Sequence, residues 1–117
     1  MGQKIIRMPN LATVSGRITT PGSNAIIANP SGSRIKVVSY DLQSEGDCAR
    51  GYFASGPSGS QLTPQWELGN REGVCKQIPE ANGAYVFAAN LGDTLSFESS
   101  STIPMKYSVT YHSDDNF

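Results

Sequence analysis

Residues 104–112 read PMKYSVTYH. Met105, Tyr107, Val109 and Tyr111 fall on one side of a two-residue alternation, and Lys106, Ser108, Thr110 and His112 on the other. Successive side chains of a β-strand point to opposite faces, so the pattern predicts a strand with one face in a core and one in water. A surface helix would instead place apolar residues three and four apart, a spacing that is hard to find anywhere in the chain.

The same period recurs outward from this stretch. Leu95 and Phe97 alternate with Thr94, Ser96 and Glu98. In 84–88, AYVFA, both faces are apolar, which predicts an inner strand. In 35–42, Ile35 and Val37 give way to Val38, Tyr40 and Leu42, so the phase slips by one residue and predicts either a bulge or a strand shared between two packing surfaces. Residues 48–54, CARGYFA, alternate less clearly.

Turn chemistry separates the runs: Pro21-Gly22-Ser23-Asn24, Asn29-Pro30-Ser31-Gly32-Ser33, Asn82-Gly83 and Leu91-Gly92-Asp93. Glu45-Gly46-Asp47 is short enough to predict a hairpin. Residues 65–72 are the one helix candidate, and Gly69 opposes it. About eight short strands at roughly 8–12 residue spacing predict an all-β fold, an antiparallel β-sandwich of jelly-roll-like form. The expected organisation is an N-terminal arm over 1–12, a β-sandwich domain over 13–112 and an acidic tail over 113–117.

The 117 residues suit one domain. Charged residues make up 16% and net charge is −1, so uncharged Ser, Thr, Gly, Asn and Gln must cover much of the surface. No long-range field draws the chain to nucleic acid or an anionic membrane. No run reaches the ~18 apolar residues of a membrane span, and Lys4 and Arg7 interrupt the first residues, so neither a membrane segment nor a signal peptide is expected. With no signal peptide expected, Cys48 and Cys75 are expected as reduced thiols, the alternative being a bridge between them.

The candidates for chemistry are thin. SGPSGS at 55–60 lacks the Lys and the following helix of a phosphate cradle and reads as a surface hairpin loop. His112 is the single histidine, on the polar face of the last strand, and reads as a solvated strand-end residue. The carboxylates are scattered, with no pair singled out for acid–base work and no calcium-loop spacing. No catalytic residue, cofactor or metal site is expected. Trp66 has two readings: a ring that stacks on sugars or anchors a partner, or one that plugs an end of the sandwich. In the arm, Ile5, Ile6, Met8 and Leu11 are too apolar for a free tail. They fit a segment laid on a partner or on a sheet edge, or a first strand of the domain.

Several pieces together resemble small virion proteins of tailed bacteriophages, of the head decoration or cement type. These are Ser39-Tyr40-Asp41-Leu42, Ser55-Gly56, Ser60-Gln61-Leu62-Thr63, Gly83-Ala84-Tyr85, Gly92-Asp93-Thr94-Leu95 and the final strand from Tyr107 to Tyr111. The resemblance covers residues 34–111 and implies architecture and role, but no site residue. It implies a non-enzymatic β-sandwich, often a homotrimer, seated on the capsid exterior against the major capsid protein after synthesis in the host cytoplasm. Neither nucleic acid nor membrane is an expected partner. Ile5, Ile6, Met8, Leu11 and Trp66 are the expected partner-binding residues. The alternative is a receptor- or glycan-binding module of a tail fibre, with Trp66 and the loops around 56–64 carrying recognition. A small hydrolase is a third reading, resting on His112 alone.

Overall fold

The computed structural model describes residues 11–28, 33–56, 59–77 and 85–114. These residues hold ten strands and no helix: β1 (Ala12–Ile18), β2 (Gly22–Ile27), β3 (Arg34–Ser44), β4 (Ala49–Ser55), β5 (Ser60–Gln61), β6 (Trp66–Leu68), β7 (Gly73–Gln77), β8 (Phe87–Ala88), β9 (Leu95–Ser99) and β10 (Met105–Asp114). All pairings are antiparallel, and the strands divide into two five-stranded sheets. The first runs β1-β10-β3, with β7 and β8 sharing the far side of β3. The second runs β2-β9-β4, with β5 and β6 sharing the far side of β4.

The connectivity is that of one long hairpin rolled up. β1 pairs with β10, β2 with β9, β3 with β8 and β7, and β4 with β6 and β5. Rolling sets β10 beside β3 and β9 beside β4, which is the jelly-roll form of a two-sheet sandwich. The eight strands expected correspond to eight ladder positions, two of which are split into short pieces.

Alternation explains what fills the space between the sheets. Ile35, Val37, Leu42, Met105 and Val109 point inward from the first sheet and are buried, as are Phe53, Leu95 and Phe97 from the second. Each such side chain contributes about 1.5–3 kcal/mol by leaving water. Phe53 is the hub. Its ring centroid lies 5.2 Å from those of Phe87 and Phe97 and 5.7 Å from that of Tyr40, with Phe97 edge-on at 86°. Offset and edge-to-face contacts of this kind add to the burial itself. Gly51 on β4 makes the room, since a Cβ there would fall 2.3 Å from the Phe97 ring.

The slip in the apolar phase of 35–42 is a bulge. Tyr40 faces Val109 and Ser39 faces Thr110, but the next pair is Val37 with Tyr111, leaving Val38 unmatched. The extra residue resets parity, so Ile35 and Val37 point into the same core as Tyr40 and Leu42. Residues 55–60 do join a hairpin, with Ser55 facing Ser60.

Two local expectations are corrected. The Glu45-Gly46-Asp47 turn is not a hairpin: it carries the chain from β3 in the first sheet to β4 in the second. The apolar run at 84–88 is not an inner strand either. Only Phe87–Ala88 is a strand, on the outer side of β3, where backbone bonds from Val86 and Ala89 to Val37 and Ile35 extend the contact. Phe87 buries against the sandwich margin with β3 as its strand neighbour, while Tyr85 is exposed. At the chain's ends, the first sheet takes in Ala12 and runs on to Asp114.

Candidate functional site

The first sheet turns a regular grid toward solvent. Its registers place Thr13, Thr110, Ser39 and Gln77 in one row and Ser15, Ser108, Asp41 and Cys75 in the next. Arg17, Lys106, Gln43 and Gly73 form the third. Strand geometry spaces such rows about 7 Å apart. Hydroxyls bond along the rows: Thr13 Oγ1 lies 2.9 Å from Thr110 Oγ1, and Ser15 donates to Ser108 Oγ at 3.1 Å. The two upper rows hold a single carboxylate, Asp41, and no cation.

The third row borders a polar recess of 380 Å³ lined by Gln43, Ser44, Glu45, Arg71 and Lys106. Arg17 grips Glu45 with two bonds, Nε to Oε2 and Nη2 to Oε1, each 2.6 Å. That bidentate bond is the main reason the Glu45 carboxyl lies below its ordinary pKa; the charges of Arg17 and Lys106 lower it further, and partial burial works the other way. Arg71 sits beside the recess with φ of 64°, in a turn closed by bonds between Gly69 and Glu72.

Other polar side chains serve the frame. The Ser55 hydroxyl donates to Asp93 Oδ2 at 2.8 Å and accepts the Asn90 N–H at 2.7 Å, tying the turn before β9 to the end of β4. His112, expected in solvent at a strand end, is buried at 3% exposure. It is not at the strand end: β10 continues to Asp114, and His112 faces Lys36 inside the ladder. Cys48 and Cys75 are free thiols, the first in the turn before β4 and the second on β7. Burial pushes the Tyr40 phenol up, with the charge of Cys75 adding to it. Among the described residues, no three His, Cys, Asp or Glu side chains gather as a metal site.

Of the expected partner-binding residues, Ile5, Ile6 and Met8 lie outside the described residues. Leu11 stands just before β1 and is 50% exposed. Trp66 is half-buried, with its ring centroid 5.5 Å from that of Tyr40 and 6.0 Å from that of Phe53. It packs against the aromatic hub. Sequence reasoning missed the grid, because alternation places Ser108 and Thr110 on a polar face but does not show which strands lie beside theirs. Tyr85 and Leu91 are further exposed apolar residues, and the Lys36 ammonium lies 5.4 Å from the Tyr85 ring centre.

No protein-family model matches the chain, and no curated protein does.

Proposed function

We propose that the chain is a non-enzymatic structural protein of a phage particle that seats on the capsid exterior and stabilises the shell by bridging neighbouring capsid subunits. The observation that supports this best is the solvent face of the first sheet: a grid of hydroxyl and amide side chains with few charges, backed by a close-packed core. A surface of hydroxyls and amides can hydrogen-bond to a protein partner without the cost of stripping water from many charges. Crowded copies bearing such a face would not repel one another across a lattice. Each copy with several modest contacts would hold firmly, because the later contacts are effectively intramolecular. The glycan-binding alternative has less support, since Trp66 is engaged with Tyr40 and Phe53.

Expanded, emptied capsid shells of the phage that carries the chain provide the test. Saturable co-sedimentation and a raised shell melting temperature are expected. Shells that neither bind the protein nor gain stability would overturn the reading.

A further inference from the structure

We propose that β1 is a self-pairing edge: two copies of this chain join β1 to β1, antiparallel about a two-fold axis at Ser15, into one continuous sheet. This goes beyond the capsid reading and stands without it.

A bare edge strand offers unpaired N–H and C=O groups to any other strand, and proteins normally blunt it with shortness, lysine, proline or a bulge. β5, β6 and β8 are two or three residues long. β7 has five residues and carries Lys76. β2 contains a register break against β9 between Ala25 and Ile27. β1 has none of these devices. It pairs with β10 through seven consecutive residues without a break, and it contains no proline. Ala12, Thr13, Ser15, Gly16 and Arg17 are exposed. Its one charge, Arg17, is matched by Glu45 of the same chain.

The sequence ATVSGRI also suits its own reverse. An axis at Ser15 uses every residue of the strand. It sets Ala12 against Ile18, Thr13 against Arg17, Val14 against Gly16, and Ser15 against Ser15. No like charges meet, whereas an axis at Arg17 would bring two guanidinium groups together. The outward row of Ser15 and Ser108 would run on into its counterpart in the second copy. The contact is isologous and closes at two copies. It buries far less than the ~800 Å² per partner of a standard complex, so it is a weak contact that crowding favours.

The test is a disulfide trap in a Cys48→Ser, Cys75→Ser background. Paired residues in neighbouring antiparallel strands have Cα atoms about 4.5–5.5 Å apart, within the range a disulfide spans. Ser15→Cys is therefore expected to shift from 12.5 kDa to twice that mass under mild oxidation. Thr13→Cys alone and Arg17→Cys alone are expected to stay monomeric, because each would lie about 13 Å from its own copy, four residues along the strand. A mixture of the two single variants should cross-link. Equal cross-linking by all three variants, or none by Ser15→Cys, would overturn the proposal. Sedimentation of the parent protein at rising concentration is a second readout. A monomer–dimer equilibrium abolished by Ser15→Lys supports the pairing; a trimer, or a monomer at all concentrations, sinks it.

Discussion

Strands β1 and β2 follow one another in sequence and each ends a sheet, yet they are held in opposite ways. β2 is anchored by its own side chains: Ile26 and Ile27 are both buried, and its ladder to β9 is broken between Ala25 and Ile27. β1 has an unbroken ladder to β10, but its inward residues are Val14, only half-buried, Gly16, and Ile18 at its end. One edge is fixed by packing and tolerates an irregular backbone. The other is fixed by backbone pairing and packs lightly. A strand of the second kind keeps a regular outer margin that no other strand among the described residues occupies, which is what a second strand needs in order to add.

The largest effect that tests this contrast is at Ile27. Ile27→Ala removes a side chain at 6% exposure and is expected to cost about 2–5 kcal/mol in denaturant unfolding. Val14→Ala in β1 is expected to cost about 1 kcal/mol, because much of its surface is already in water. Equal losses at the two positions would break the comparison.

Gly16 offers an intermediate effect with a sharper signature. A Cβ at Gly16 would fall 2.7 Å from the Tyr107 hydroxyl and 2.9 Å from the ring carbon that bears it. The ring of the facing residue thus lies over the glycine and covers backbone that no side chain of β1 covers. Gly16→Ala must displace that ring and is expected to cost about 1–3 kcal/mol. In a double-mutant cycle with Tyr107→Ala most of that cost should disappear, since the clash has a single partner. Additive losses would mean that Tyr107 is not what constrains β1.

How far the sequence reveals this contrast depends on the kind of information involved. Alternation is local, and it shows at Met105, Tyr107 and Val109 without knowledge of any neighbour. The bulge at Val38 was legible for the same reason: Ile35 and Val37 cannot share a core with Tyr40 and Leu42 unless one residue is skipped. Strand adjacency is not local. The turn at Glu45–Asp47 has the length of a hairpin, but in a rolled ribbon it crosses between sheets, and no residue within it records the difference. The run 84–88 reads as doubly buried, yet Tyr85 is exposed and the strand is Phe87–Ala88, because a run of apolar residues does not record how many strands flank it. His112 shows the same limit: its face follows from parity, whereas its burial does not. The solvent grid and the unprotected edge both depend on adjacency, so neither could be read before the topology.

The smallest effect concerns the ion pair that occupies the one charge on β1. Arg17 and Glu45 are side chains at 53% and 23% exposure, so water and salt screen their attraction and the contribution to stability is slight. Its sign is nonetheless determined. The bond from Arg17 holds the folded Glu45 carboxyl below its ordinary pKa, so the unfolded chain takes up a proton first as the solution is acidified. The pair therefore stabilises fully above the ordinary carboxylate range, and that stabilisation is lost as pH falls through the depressed folded value. Glu45→Gln should lower the melting temperature slightly at neutral pH, and the gap from the parent protein should close on acidification and in high salt. Because the substitution leaves the Arg17 charge on β1 unmatched, it should also weaken association along this edge at neutral pH, where β2 is unaffected. A gap that widens on acidification would show that Glu45 acts through something other than its charge.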